Sequence, residues 1–142
     1  LQFSSKDKVS VIAFNNGIIG QWKTDNAIDT KDLLDKIENQ RPNGTTNIYL
    51  AASEALKILN EEDLDKYNAS IILMTDGLSN KGTINDLKST YNAIKKDIPI
   101  YSIMFGSASA DQLNSIATLT NAKVFDGKTN LLEAFKKVRG YN

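Results

Sequence analysis

The chain has 142 residues, enough for one domain with a real core and too short for two ordinary ones. Apolar residues make up 41% and charged residues 24%, the profile of a globular domain. The 17 basic and 17 acidic side chains are spread along the chain, so no basic stripe points to nucleic acid and no acidic tail to a cation buffer. Cysteine and histidine are absent, which excludes disulfides, thiolate metal sites, the usual zinc ligands and the commonest general base. No apolar run approaches the roughly 20 residues that cross a bilayer, and no signal peptide is visible.

In chain order, Val9-Ser-Val-Ile-Ala-Phe14 is β-branched and aromatic-rich between polar flanks, which predicts a strand. Ile18 to Thr24 reads as a second strand. The Asn15-Asn16-Gly17 turn between them is a hairpin signal that makes the two antiparallel neighbours, with Trp22 packing under an edge. Asp29 or Thr30 can cap a helix bearing Leu33, Leu34 and Ile37 on one face, ending before Pro42. After the NGTTN loop, Ile48 to Leu59 places Leu50, Ala51, Ala55, Leu56 and Leu59 near helical spacing. Ser70 to Thr75 is a continuous apolar run, as in a strand buried on both faces of a parallel sheet. Thr83 to Lys96 predicts a helix with Leu87, Tyr91 and Ile94 inward, and Ile98 to Gly106 another buried strand with its proline near the start. Ala110 to Leu119 is helical with Leu113, Ile116 and Ala117 on one side. Lys123 to Phe125 is a short last strand, and Leu131 to Val138 a closing amphipathic helix.

Strand and helix alternate, so the expected fold is α/β: a three-layer, mostly parallel open sheet with helices on both faces and one short antiparallel edge strand. Residues 1 to 142 read as one domain. In such folds ligands sit outside the carboxyl ends of the strands, and two constellations fall there. One is Gly44-Thr45-Thr46-Asn47, whose plain explanation is a helix cap by Thr46 or Asn47. The other is Asp76-Gly77 directly after an apolar strand, whose plain explanation is a turn. Neither is specific alone. Together they put a hydroxyl and a carboxylate, both hard oxygen donors, on one edge of one sheet. Without His or Cys, such donors suit Mg²⁺, Mn²⁺ or Ca²⁺, and Mg²⁺ commonly keeps several waters.

GTTNIYLAASEAL (Gly44 to Leu56), SIILMTDGLSN (Ser70 to Asn80) and IPIYSIMFG (Ile98 to Gly106), with VSVIAF before them and KVFDG after them, resemble consecutive landmarks of von Willebrand factor type A (VWA) domains. The resemblance covers nearly the whole chain. It implies a sheet of about six strands, all parallel but one short edge strand. It also implies a metal-ion-dependent adhesion site at the carboxyl end of that sheet. Such a site typically holds Mg²⁺ and leaves one coordination position for a carboxylate of a partner protein. Thr46 and Asp76 match the family's second-loop threonine and third-loop aspartate, with Gly44, Thr45, Asn47 and Gly77 in the vicinity.

The departure is equally plain. The family's central first strand ends in Asp-x-Ser-x-Ser, which supplies most of the direct metal ligands, and this sequence has no such motif; Ser4-Ser5-Lys6-Asp7 precedes the second strand and is no substitute. The chain is therefore expected to begin after the family's first strand and most of its first helix. Metal binding by these residues is expected to be weak or absent, and the sheet to be completed by another segment of the parent protein or by a strand swapped from a second copy.

The expected function is a divalent-cation-linked protein-binding module of a larger protein, with no catalysis, no nucleic acid and no membrane span. The tail FKKVRGYN (Phe135 to Asn142) resembles that of bacterial proteins in which such a domain follows a solute-binding-like region, which suggests a bacterial cell-envelope or extracellular setting. Two alternatives stand beside this. One is a metal-free structural domain. The other is a phosphate-handling enzyme using NGTTN at a helix start, against which no phosphate-loop, dinucleotide or nucleophile-elbow motif is present.

Overall fold

The computed structural model describes residues 6–25, 35, 39, 44–76, 78–127, 133 and 136–137. The first elements are β1 (Val9–Phe14) and β2 (Ile18–Thr24), an antiparallel pair running from Val9 opposite Thr24 to Ala13 opposite Gly20. The register then shifts so that Phe14 meets Ile18. Asn15 closes the turn: its Oδ1 accepts from Gly17 N at 3.1 Å, and its own N–H donates to Gly17 O at 2.9 Å. Trp22 folds over its own strand, where a Cβ on Gly20 would lie 2.4 Å from the indole ring. Residues two apart share a strand face, so glycine at 20 is what lets the ring lie flat. The sequence expectation of tryptophan under an edge thus becomes packing against β2 itself.

The second sheet is parallel, in the order β3 (Ile71–Thr75), β4 (Ile100–Met104), β5 (Val124–Asp126). Helices α1 (Ile48–Asn60), α2 (Ile84–Ile94) and α3 (Ala110–Leu119) connect and cover it. The register sets Ile71 beside Ile100 and Leu73 beside Ser102. One face therefore joins Ile71, Leu73 and Ile100 to Ile48, Ala52 and Leu56 of α1, Leu87 of α2, and Leu113 and Ile116 of α3. The alternate residues Tyr101 and Ile103 gather Ile72, Met74 and Phe125 on the other face. Apolar contact on both faces is why these strands read as unbroken hydrophobic runs. Each fully buried Leu or Ile contributes roughly 1.5–3 kcal/mol, so this block is the thermodynamic centre of the described structure.

Several boundaries move by small steps for local reasons. The second helix stops at Ile94 because Lys95 turns left-handed (φ 52°), and the middle parallel strand starts at Ile100, with Pro99 O accepting from Ile71 N at 3.0 Å. Of the helix expected around Leu33, Leu34 and Ile37, Asp35 is described and helical, while those three apolar positions lie outside the described residues. So does most of the closing helix, of which Glu133, Lys136 and Lys137 are helical.

One feature separates the fold from a single continuous sheet. Both β1 and β3 contact α1, yet they belong to different sheets, and no residue of β1 or β2 is fully buried although β1 reads VSVIAF. A two-stranded hairpin is marginal by itself, so its attachment to the rest matters. Asn47 N donates to Asn15 O at 2.7 Å at one end of the hairpin. At the other end the Glu62 carboxylate, just past α1, accepts from Lys8 Nζ at 2.8 Å and Lys23 Nζ at 3.1 Å. Those bonds hold the Glu62 carboxyl below its usual range and raise both ammonium groups.

Two predictions follow from this packing. The Glu62 carboxyl titrates lower in the folded than in the unfolded chain. Its stabilisation is therefore complete above the ordinary glutamate range and fades as pH falls through the depressed folded value. Glu62→Gln should lower the melting temperature modestly at neutral pH, and the gap should close as pH drops through the carboxylate range; a gap independent of pH would contradict the bridge. Separately, Ser102 is 0% exposed and its Oγ is the buried side-chain polar atom without a hydrogen-bond partner among the described residues. Ser102→Ala should raise the urea unfolding free energy by about 1 kcal/mol with an unchanged m-value; destabilisation would show that the hydroxyl is satisfied.

Candidate functional site

The carboxyl end of β3 delivers Asp76, which is exposed, to the edge of the parallel sheet. Its main chain is pinned from the next strand: Ser107 donates to Asp76 O twice, from N at 2.7 Å and from Oγ at 3.1 Å. The loop after β4 can come this close because residue 106 is glycine. A Cβ there would sit 2.6 Å from Asp76 O and 2.9 Å from Asp76 Cβ, and its φ of +61° is one that side chains resist.

Thr46, half-buried ahead of α1, is held against the loop that follows Asp76. Its carbonyl accepts from Ser79 Oγ at 3.1 Å, Asn80 N at 3.1 Å and Lys81 N at 3.2 Å, and its N–H donates to Asn80 Oδ1 at 2.9 Å. Ser79, only 6% exposed, also accepts from Ile48 N at 3.2 Å and donates to Lys81 O at 3.1 Å. The loops carrying Thr46 and Asp76 are therefore tied together through Ser79, Asn80 and Lys81, and through Asn47 N to the end of β1 at Asn15.

The neighbours divide. Asn47 takes the capping role that sequence allowed to it or Thr46: its Oδ1 accepts from Leu50 N at 3.0 Å. Gly82 leaves room for that cap, since a Cβ on it would stand 2.6 Å from Asn47 Oδ1. Gly44 is left-handed (φ 82°) at the loop's entry, and Thr45 is half-buried beside it. Gly77 lies outside the described residues. Sequence reasoning missed Ser79, Asn80, Gly106 and Ser107. Their signals, LSN after the strand-ending Asp-Gly and GSAS after the next strand, were on the page but indistinguishable from ordinary loop composition.

The donor chemistry at this edge is hard oxygen, the Asp76 carboxylate and the Thr46 hydroxyl, which fits Mg²⁺ or a similar cation by type. Among the described residues, no three acidic side chains come together as a metal cluster. Two protein oxygens would leave most of an octahedral shell to water or to a partner. The start of α1, a candidate anion seat, has two of its donors engaged internally, Ile48 N by Ser79 and Leu50 N by Asn47. That weakens the phosphate alternative.

Two surface depressions, of about 610 and 340 Å³, lie elsewhere, one between α2 and α3 by Lys88 and Asp111, the other by Tyr91 and Asp97. At the edge itself Leu78 stands 57% exposed beside Asp76, an apolar side chain on an open face. An open polar edge with one apolar projection suits a protein surface better than a small molecule, which prefers a concave site.

No helix among the described residues is long and apolar enough to cross a membrane. No curated protein and no solved structure gives a significant match to the chain. The family model of the von Willebrand factor type A domain matches residues 2–137. With the alternating α/β order, the parallel sheet and the threonine and aspartate loops at its carboxyl edge, the chain belongs to the von Willebrand factor type A domain family, whose members generally act as protein-interaction modules.

Proposed function

We propose that this chain binds a protein partner at the carboxyl edge of its parallel sheet, through Asp76 and Thr46, within a larger protein of the bacterial cell envelope or exterior. The observation that supports the reading is the tie between the two loops: Thr46 O and N–H bond to Ser79, Asn80 and Lys81, in the loop that follows Asp76. Asp76 and Thr46 are the residues that would hold a divalent cation, Mg²⁺ or else Mn²⁺ or Ca²⁺. When bound, the cation would offer an open coordination position to an acidic side chain of the partner. The role is recognition, with no bond made or broken.

Two protein oxygens, only one of them from an acidic side chain, make a weak seat. These 142 residues should bind Mg²⁺ with a dissociation constant of roughly 1 mM or weaker, and Asp76→Asn should weaken even that. Isothermal titration calorimetry checks both; micromolar affinity, or affinity indifferent to the Asp76 substitution, would count against the site.

A second reading concerns what completes the sheet. Among the described residues β1 pairs only with β2 and β3 only with β4; that, the separate sheets they belong to and the half-buried apolar face of β1 favour an added strand, from another segment of the parent protein or from a second copy. Light scattering should then show self-association that disappears when a complementing segment is supplied. A strict monomer in which β1 amides exchange as slowly as those of β4 would overturn it. If the edge holds no cation in any form, a metal-free structural role replaces the first reading.

A further inference from the structure

We propose that Gln112 is a positioning residue for the candidate site, the arm by which α3 sets the spacing between the Asp76 and Thr46 loops. The term site rests on the function proposed above; the coupling itself rests on geometry alone.

Gln112 lies in the first turn of α3. Its own N–H donates to the capping Ser109 Oγ at 3.3 Å, and the next residue along, Leu113, is 1% exposed within the main core, as is Ile116 at 0%. The base of the arm is therefore rigid. Its carboxamide meets the backbone of Ser79 at both ends: Ser79 N donates to Gln112 Oε1 at 2.9 Å, and Gln112 Nε2 donates to Ser79 O at 2.7 Å. This pairing replaces, for one loop residue, the two bonds that a neighbouring strand would provide. Ser79 then passes the constraint on, because its Oγ binds Thr46 O, Lys81 O and Ile48 N. One side chain from a helix far along the chain thus fixes the node on which both loops are hung. Its chemistry is exacting, for it must present one donor and one acceptor at a set separation, which an amide supplies and a carboxylate does not.

The test is amide hydrogen exchange on the whole chain with EDTA present, so that its outcome is independent of cation binding. In Gln112→Leu, the amides of Thr46, Asn80 and Lys81, whose hydrogen bonds go to partners other than Gln112, should exchange about tenfold faster or more. The amides of Leu73 and Ile103 in the sheet should keep their protection. In Gln112→Glu, protection should be lost at neutral pH, where two acceptors face Ser79 O. It should return on acidification, where the protonated acid again offers one donor and one acceptor, with each pH compared against the unsubstituted chain, which carries the same Asp76, Asp111 and Glu62 carboxyl groups. Unchanged exchange at Thr46, Asn80 and Lys81, or a loss spread equally through β3 and β4, would overturn the proposal. So would Gln112→Glu behaving alike at both pH values, which remains readable even where Gln112→Leu fails to fold. If the exchange result holds while calorimetry finds no cation, only the cation reading falls.

Discussion

The carbonyl of Thr46 is the point on which the loops at the carboxyl edge of the sheet depend. It accepts a hydroxyl and two backbone N–H groups from three successive residues, Ser79, Asn80 and Lys81. A loop of that kind has no regular ladder to satisfy its polar groups, and unpaired backbone groups away from water are costly. The 44–48 and 78–82 loops solve the problem for each other, and the solution fixes where their side chains stand. The helix start after Thr46 is anchored by the same arrangement, through Ser79 on Ile48 N and Asn47 on Leu50 N. Local capping and edge geometry are thus one structure.

Behind that edge, stability and presentation are divided between parts of the molecule. The block of β3, β4 and β5 with its helices carries the deep core, with Leu56, Leu87, Ile100 and Ile116 all at 0% exposure. The β1–β2 hairpin contributes no fully buried residue and is fastened at its two ends, by Asn15 to Asn47 and by Lys8 and Lys23 to Glu62. A well-buried block carrying loops at one edge, with a more loosely packed hairpin alongside, keeps those loops in place, and among the described residues β3 pairs with β4 alone.

Much of the fold was legible because it depends on patterns that repeat over several residues. The Asn-Gly turn between β-branched runs is a local instruction, and the hairpin followed from it; the run SIILMT had no polar alternation, and β3 is indeed apolar on both faces. That the loops bearing Asp76 and Thr46 meet at one end of the sheet was legible too, because the alternation of elements dictates which loops lie at the carboxyl edge. The bonds that fix them were not. Gln112 stands 33 residues from Ser79, and nothing near either one in sequence distinguishes a surface glutamine from one that pairs with a loop. Gly106 looked like a strand end, yet its lack of a Cβ matters because Asp76, 30 positions earlier, comes against it.

The sequence by itself determined the class of fold, the order of its elements, the positions of most helices and strands, and the chemical type of the donors at the edge. These follow from periodicity, turn chemistry and composition, which act over a few residues. The tertiary structure alone decided that the strands divide into two sheets, that Asn47 rather than Thr46 caps α1, and that Ser79 and Gln112 hold the edge together. Each of those outcomes is a choice of hydrogen-bond partner among residues distant in the chain, and a partner is chosen only when packing has brought the candidates into reach.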